Sequence, residues 1–244
     1  MNAITDSILI LRGRLSSVEV EDTTASIFFT GSDQIGMAAT GVLAAASGLS
    51  GIAAGMAFMS SDESHEPIVE ARVVVNDQPV RALLWSFPFR EGDDVEIVGE
   101  SLGGEFVAYA VLSPSKRLIS LYPHVSSGSS AHLASVLKIS AIVSTLFPTV
   151  AFLVFVALGT FMSLGEDWWP FVAVMAAGSA AVGVILFIIG LRIGNRFQPF
   201  VKMADRIFSA LGWSDAKRIS LRRISREKRL PGDSAELGDR YFRY

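Results

Sequence analysis

The chain of 244 residues contains no cysteine, which excludes disulfide bonds, thiolate nucleophiles and cysteine-ligated metal sites. It also lacks a P-loop, a zinc-protease helix motif and a hydrolase nucleophile elbow. His124 and His132 could meet a metal together with an acid such as Asp93, but two polar residues near a membrane surface are the favoured interpretation. We expect no cofactor, and the sequence does not predict an enzyme.

Formal charge is missing from two long stretches, 139–165 with 27 residues and 168–191 with 24. At about 1.5 Å per helical residue, either one can cross the roughly 30 Å hydrocarbon core of a bilayer. The short connection carries Trp168 and Trp169, and tryptophan is enriched where membranes meet water. The sequence therefore predicts a transmembrane helical hairpin over 138–192, with both tryptophans as interface anchors.

A third charge-free stretch, 34–61, has 28 residues and is rich in alanine and glycine. It can be a helical hairpin with about 12 residues in each arm, a length near that of an average globular helix, or a single membrane span. A single span would put the flanking strands on opposite sides of the membrane, where they could not pair, so the hairpin is favoured and both alternatives stay open. Gly48, Gly51 and Gly55 are candidates for membrane insertion and close helix packing.

Short β-rich runs separated by turn residues occupy 1–33 and 62–123. Examples are SILILRGRL at 7–15, SIFFT at 26–30 and IVEARVVV at 68–75, the last followed by a turn at 76–79. Five to seven such strands predict a small antiparallel β-barrel of the OB or SH3-like kind. The expected fold class is an α+β membrane protein in which the helical segment 34–61 is inserted into this β domain.

Charge is distributed unevenly along the chain. Residues 1–138 contain 16 acids and 8 bases, whereas residues 192–244 contain 13 bases and 6 acids. Lysine and arginine next to membrane spans are retained on the cytoplasmic side. This asymmetry predicts a multi-pass protein of the bacterial inner membrane whose β domain and C-terminal tail are cytoplasmic.

The regions flanking the predicted hairpin differ in character. Residues 124–137 are rich in serine and glycine and predict a linker. Residues 193–244 predict a basic amphipathic juxtamembrane helix followed by a tail. A block of seven bases in this region predicts a patch that faces anionic lipid rather than nucleic acid: Lys217, Arg218, Arg222, Arg223, Arg226, Lys228 and Arg229.

Two segments resemble motifs of a known family. Residues 85–98 (WSFPFREGDDVEIV) are similar to a W-x-x-P-F-x-x-G-D-x-V-E-V-V motif, and residues 117–124 (RLISLYPH), followed by Gly128 and by Ala-His at 131–132, are similar to its companion. Both resemble the type VI secretion system effector family of small proteobacterial membrane proteins. That family shares the order of a β segment, an Ala/Gly-rich insert, further β segments and a membrane hairpin, and the resemblance carries over no functional residue.

The resemblance implies an integral inner-membrane protein of an interbacterial antagonism system, which acts by membrane insertion or partner binding rather than catalysis. An effector would insert its apolar segments into a neighbouring cell. An immunity or accessory protein would stay in the producing cell and bind a toxin or a secretion component. The alternative, from the residues alone, is a general membrane-anchored scaffold whose cytoplasmic β domain binds a soluble partner. Its hairpin could form a homo-oligomer through the Gly178 and Gly183 face.

Overall fold

The computed structural model describes residues 8–26, 65–102, 105–162, 165 and 168–244. These residues form two compact units. The first comprises Met1–Pro123 together with Arg229–Tyr244, and the second comprises His124–Lys228. The apolar segment 34–61, with the three glycines proposed for membrane insertion (Gly48, Gly51 and Gly55), lies outside the described residues.

Five strands of the first unit form a closed barrel. They are β1 (Leu9–Ser26), β2 (His65–Val75), β3 (Gln78–Leu84), β4 (Asp94–Leu102) and β5 (Glu105–Ser113). The strand order is β3-β2-β1-β4-β5, and a parallel pairing of β3 with β5 closes it. The prediction of a small barrel is confirmed. Five strands closed by a parallel β3–β5 pair favour the OB kind of barrel over the SH3-like kind.

Strand β1 is longer than the sequence predicted. Residues 9–14 pair with β4, and after an irregularity between Leu15 and Ser17 the strand continues along β2 to Ser26. The sequence predicts one strand over 7–15 and the next over 26–30. The side chains of Glu19, Glu21 and Asp22 in between are exposed, so their charges remain in water while the backbone pairs with β2.

The predicted turn after β2 is confirmed. Asn76 and Asp77 both have positive φ, 50° and 64°, as a two-residue hairpin turn requires. The Asn76 amide donates a 2.7 Å hydrogen bond to the Arg12 carbonyl. It lies directly over Gly13, where any Cβ would collide with it.

The barrel interior is filled by alternating apolar residues from the five strands and from the β3–β4 connection. Phe89 of that connection is 3% exposed and meets Phe87 edge to face at 5.4 Å. The other large core members are mostly β-branched or aliphatic, as a pleated surface favours: Leu15, Val73, Val75, Val80, Leu84, Val95, Ile97, Phe106 and Val111.

Two further strands extend the sheet beyond β5. Strand β6 (Leu118–Leu121) pairs with β5, and β7 (Tyr241–Arg243) pairs with β6. Phe242 lies opposite Ile119, and both side chains are fully buried. We did not predict β7, because a strand of three residues carries no alternation signal and its partner lies about 120 residues earlier in the chain.

The second unit is helical. It contains α1 (Ser129–Phe161), α2 (Trp169–Arg196), α3 (Gln198–Ala210), a 3₁₀ turn (Ala216–Arg218) and α4 (Leu221–Glu227). Residues 129–137, which we assigned to a linker, are helical. The serines of that segment lie at the start of α1, and the Asp205 carboxylate accepts a 2.9 Å hydrogen bond from the Ser129 N–H, which satisfies one of the free donors at a helix start.

The predicted apolar stripe of the juxtamembrane helix lies on α3. Val201, Ala204, Ile207 and Phe208 are all at most 3% exposed. We had expected this face to lie along the bilayer. It is buried within the protein instead, and the exposed side of α3 is mostly polar.

An ion pair in the tail of the first unit, between Arg243 and Asp233, should contribute to stability in a pH-dependent way. Both guanidinium NH2 groups of Arg243, on β7, donate to the Asp233 carboxylate at 2.7 and 2.9 Å. These bonds, and a further one from the Leu230 N–H, lower the pKa of Asp233 below its ordinary value. A lowered pKa in the folded state adds stability above the unfolded-state pKa, about 3.9, and that stability is lost as pH falls through the folded pKa.

We therefore expect Asp233→Asn to lower the thermal midpoint of the purified protein at pH 6. The difference from wild type should shrink on acidification below about pH 4. Asp239→Asn, at an exposed aspartate of the same segment, is the matched control and should leave the midpoint unchanged at both pH values. A constant difference between wild type and Asp233→Asn from pH 6 to pH 3 would show that the ion pair contributes nothing.

Candidate functional site

Helices α1 and α2 are the only two described helices that are long and apolar enough to cross a bilayer. With 33 and 28 residues, they measure about 50 and 42 Å at 1.5 Å per residue. Their large apolar side chains point outward, as Leu146, Phe147 and Val174 show with 60 to 70% exposure. A core helix of a soluble protein would bury such residues.

The two helices pack through glycines of α2. A side chain on Gly183 would meet the Ser144 carbonyl at 2.8 Å, one on Gly190 would collide with the Ser140 side chain, and one on Gly194 would collide with Val136. Small residues allow helix backbones to approach closely in lipid, where there is no hydrophobic force to join them. Gly178 has nothing within 4 Å of its Cβ position, so of the two glycines proposed for oligomerisation, Gly183 lies in the seam of the hairpin itself.

The two predicted interface anchors have different surroundings. The Trp168 ring packs directly over Gly159 and lies 4.8 Å from the Phe155 ring centroid. Its indole N–H is buried and has no hydrogen-bond acceptor among the described residues. Trp169 is 66% exposed. Trp168 therefore contributes to packing at the helical turn, whereas Trp169 is free to contact a membrane interface.

The polar residues inside the helices are satisfied locally. Thr145 and Thr160 donate to carbonyls three or four residues earlier, at 2.7 and 2.8 Å, and Ser144 donates at 3.1 Å to Ala141. Such bonds satisfy a hydroxyl within its own helix. The stretches 139–165 and 168–191 also carry no formal charge.

The start of α1 is tied to the basic block by backbone hydrogen bonds. The Gly128 N–H donates to the Ile219 carbonyl and the Leu221 N–H donates to the Ser126 carbonyl, both at 2.9 Å. Between them, Ser127 and Ser220 form an isolated antiparallel bridge. Gly128 has no room for a side chain, since a Cβ would collide with the Ala216 carbonyl. The basic 3₁₀ turn is therefore held against the beginning of a long apolar helix.

All seven members of the predicted basic patch are exposed. Arg223 approaches Glu227 at 3.8 Å on α4, and such a surface pair contributes little to stability. Six of the seven bases lie in the second unit, on the 3₁₀ turn, on α4 and directly after α4, and form a solvent-facing cationic surface there.

The two histidines considered as metal ligands lie in an aromatic cluster. The His124 ring is 5.4 Å from Phe200 and 5.9 Å from Phe197, and the His132 Nε2 lies 3.0 Å from the Gly194 carbonyl. In the described part of the chain, no group of three or more His, Asp or Glu side chains could hold a metal ion. His132 thus links the first turns of α1 to the last turn of α2.

The outer face of β2 and β3 carries an ion-pair cluster. Glu70 accepts from Arg81 at 2.9 Å and from Arg72 at 3.1 Å. Partial burial raises the pKa of Glu70, but these two guanidinium groups outweigh it, so the pKa lies below its ordinary value. OB folds that bind single-stranded nucleic acid use basic grooves with stacking aromatics, whereas here the two arginines are paired with an acid.

The motif at 85–98 has a structural role in the barrel. Phe89 fills the core, and Gly92 adopts φ +86° while its N–H donates to the Leu15 carbonyl at 2.8 Å. Asp93 accepts from Lys116 at 2.6 Å and from the Arg90 N–H at 2.8 Å. These residues shape the β3–β4 connection, so the motif describes the fold rather than a reaction centre.

Sequence reasoning missed several residues that organise the helical unit. Gly190 and Gly194 have the four-residue spacing of a small-xxx-small pattern, which is a readable signal. Asp205 caps α1 from a distance of 76 residues, and Gly159 makes space for a tryptophan nine residues later. Neither of these two contacts leaves a local signal in the sequence.

Comparison of the chain with protein-family models, with curated proteins and with solved structures found no match. Functional inference therefore starts from the packing and charge of the chain itself. The strongest features are the exposed apolar hairpin and the basic turn fixed to its base.

The packing of α1 against the glycines of α2 predicts that the same substitution at two glycines will change the stability of the hairpin to different extents. Gly183→Val should separate α1 from α2 and destabilise the hairpin by about 1–3 kcal/mol, because the added methyls overlap the Ser144 carbonyl. Gly178→Val makes the same chemical change on the same helix at an open position. In detergent, the midpoint of thermal unfolding should fall for Gly183→Val and stay at the wild-type value for Gly178→Val. Equal midpoints for the two variants would contradict the packing described above.

Proposed function

We propose that the chain is a membrane-anchored, partner-binding component of an interbacterial antagonism system. The helical hairpin α1–α2 serves as the anchor and the β-barrel as the binding module. The single observation that carries the anchor is the exposure of long apolar surfaces on both helices, because such surfaces are stable in lipid and costly in water.

An anchor fits the hairpin better than a pore does. Its two helices meet through glycines, and their hydroxyls bond to their own backbones. A water-filled channel needs polar or charged groups along its wall, and 139–165 and 168–191 supply no charge. Among the antagonism functions, this favours an immunity or accessory protein that binds a toxin or a secretion component over an effector that depolarises a target cell.

Strand pairing supports a definite topology for the anchor. Because β7 pairs with β6, the chain before α1 and the chain after α4 belong to one sheet. Both must therefore lie on one side of a membrane, and α1 and α2 cross it as a pair. The bases flanking the hairpin, Lys138, Arg192 and Arg196, support the proposal that this side is the cytoplasm of a bacterial inner membrane, because lysine and arginine next to spans are retained there.

The same logic applies to the ends of β1 and β2. These strands pair from Leu15 with Val75 to Ser26 with His65, so both lie on the cytoplasmic side in this proposal. A single membrane crossing by residues 34–61 would separate them, and an even number of crossings would not.

The assignment to interbacterial antagonism rests on the resemblance of 85–98 and 117–132 to the type VI secretion system effector family. A general scaffold that holds a soluble partner at the inner membrane uses the same anchor and the same barrel. The two differ in the partner: a toxin or secretion component in one case, an unrelated cytoplasmic protein in the other.

The topology is tested with single cysteines, since the chain has none of its own. Ser115→Cys and Asp239→Cys lie at exposed positions of the barrel unit, and Met162→Cys is 68% exposed at the end of α1. In intact cells, a membrane-impermeant maleimide should label only position 162. Labelling of all three positions only after lysis, with the protein in the soluble fraction, would refute the anchor.

Expression of the chain alone, followed with a voltage-sensitive dye, separates anchor from effector. We expect cells that stay polarised and keep growing, because the hairpin supplies no ion path. Gly183→Val serves as a comparison, since a loosened hairpin should not alter the potential either. Depolarisation by the wild-type chain, lost in that variant, would make the protein an effector.

A further inference from the structure

We infer that the base of the hairpin carries a binding site for one phosphate group of an anionic phospholipid, and this inference rests on the proposed membrane anchor. The site is a cavity of about 510 Å³ within the helical unit, a size in the usual range for small-molecule sites. Its lining comes from the first turn of α1, the end of α3 and the 3₁₀ turn: Ser130, Ser209, Trp213, Asp215, Ala216, Lys217 and Arg218.

The chemistry of the lining fits an anion with one negative charge. Lys217 and Arg218 supply two positive charges and Asp215 supplies one negative charge, which leaves a net charge of +1 (2 − 1). A phosphodiester carries one negative charge and balances it. Arginine and lysine are the side chains that bind phosphate most often, and neither of these two forms an ion pair with any residue in the described part of the chain.

The walls of the cavity are shaped by fixed backbone and by a packed aromatic side chain, not by flexible side chains alone. The bonds from Gly128 to Ile219 and from Leu221 to Ser126 fix the 3₁₀ turn on both sides. Trp213 stacks on the fully buried Phe208 with ring centroids 5.4 Å apart and an interplanar angle of 19°. The backbone that carries the two bases and the indole ring beside them are therefore held in place, so a ligand has to order only the ends of the two basic side chains on binding.

The position of the cavity along α1 points to a lipid as the source of the phosphate. Exposed apolar surface on this helix begins at Leu133 and continues with Leu137. Ser130 precedes Leu133 by three residues, about 4.5 Å along the helix. A hairpin inserted up to its apolar surface would bring the cavity to the headgroup layer, where tryptophan and basic side chains are favoured.

This site differs from a diffuse attraction between the basic patch and the membrane. Arg223 and Arg226 belong to the same patch and carry the same charge, but they lie on α4 and do not line the cavity. If the patch acts only through its net charge, removal of any two bases should have the same effect. If the cavity binds a headgroup, only Lys217 and Arg218 should matter.

The test uses the full chain in neutral detergent, with thermal unfolding followed during titration of dioctanoyl phosphatidylglycerol. Dioctanoyl phosphatidylcholine and inorganic phosphate are titrated in parallel. We expect phosphatidylglycerol to raise the midpoint of the wild type and phosphatidylcholine to have little effect. In Lys217→Gln/Arg218→Gln the apparent Kd should rise by about tenfold or more, equivalent to about 1.4 kcal/mol. Arg223→Gln/Arg226→Gln, with the same loss of charge, should stay within about twofold.

Ser209→Phe provides a second variant that keeps every charge. Ser209 is exposed at the end of α3 and lines the cavity, so a phenyl ring there should block the ligand without altering the net charge. Loss of phosphatidylglycerol binding in this variant supports a cavity. An equal loss in the two charge variants, with binding kept in Ser209→Phe, would overturn it.

The remaining outcomes are equally decisive. Stabilisation by inorganic phosphate alone, at the same Kd as the lipid, assigns the site to a free phosphate and overturns the lipid assignment. No stabilisation by either anion overturns the site. Cell fractionation separates this failure from that of the anchor, because a chain found in the membrane fraction without lipid stabilisation refutes the cavity and leaves the anchor in place.

Discussion

The pairing of β7 with β6 constrains the rest of the molecule. The sheet partner of β6 is β7, which follows the whole helical unit in the chain. Phe242 is buried against this sheet, and Arg243 is held by Asp233. Backbone hydrogen bonds between β6 and β7 thus bring the two ends of the helical unit to one sheet. In the proposed membrane anchor, this pairing requires an even number of crossings.

Within the helical unit, two kinds of packing serve different purposes. Glycines on α2 bring the two long helices together and leave their apolar surfaces outward, which suits lipid as the surrounding solvent. At the base, α3 buries its apolar stripe and the 3₁₀ turn is bonded to the segment before α1. This region is packed like a soluble protein. Its basic side chains are thereby presented in a fixed arrangement rather than on a flexible tail.

The proposed function assigns anchoring to the hairpin and partner binding to the barrel. The 85–98 motif shapes a barrel connection through Phe89, Gly92 and Asp93. A resemblance in this motif therefore indicates a similar fold rather than a similar reaction. Glu70 pairs with both arginines of the β2–β3 face, so this cluster keeps one net positive charge.

The sequence alone determined the features that depend on composition and local pattern. Charge-free stretches predicted the two long helices, alternation and turn residues predicted most of the barrel strands, and base counts located the cationic patch. Tertiary structure decided what depends on partners distant in the chain. Examples are β7, which is too short for a pattern, the capping of α1 by Asp205, which turned a predicted linker into helix, and the burial of the α3 stripe that resembled a membrane-surface helix. The physical reason is the same in each case: a hydrogen bond or an apolar contact between residues tens of positions apart changes the energy of a segment without changing its sequence.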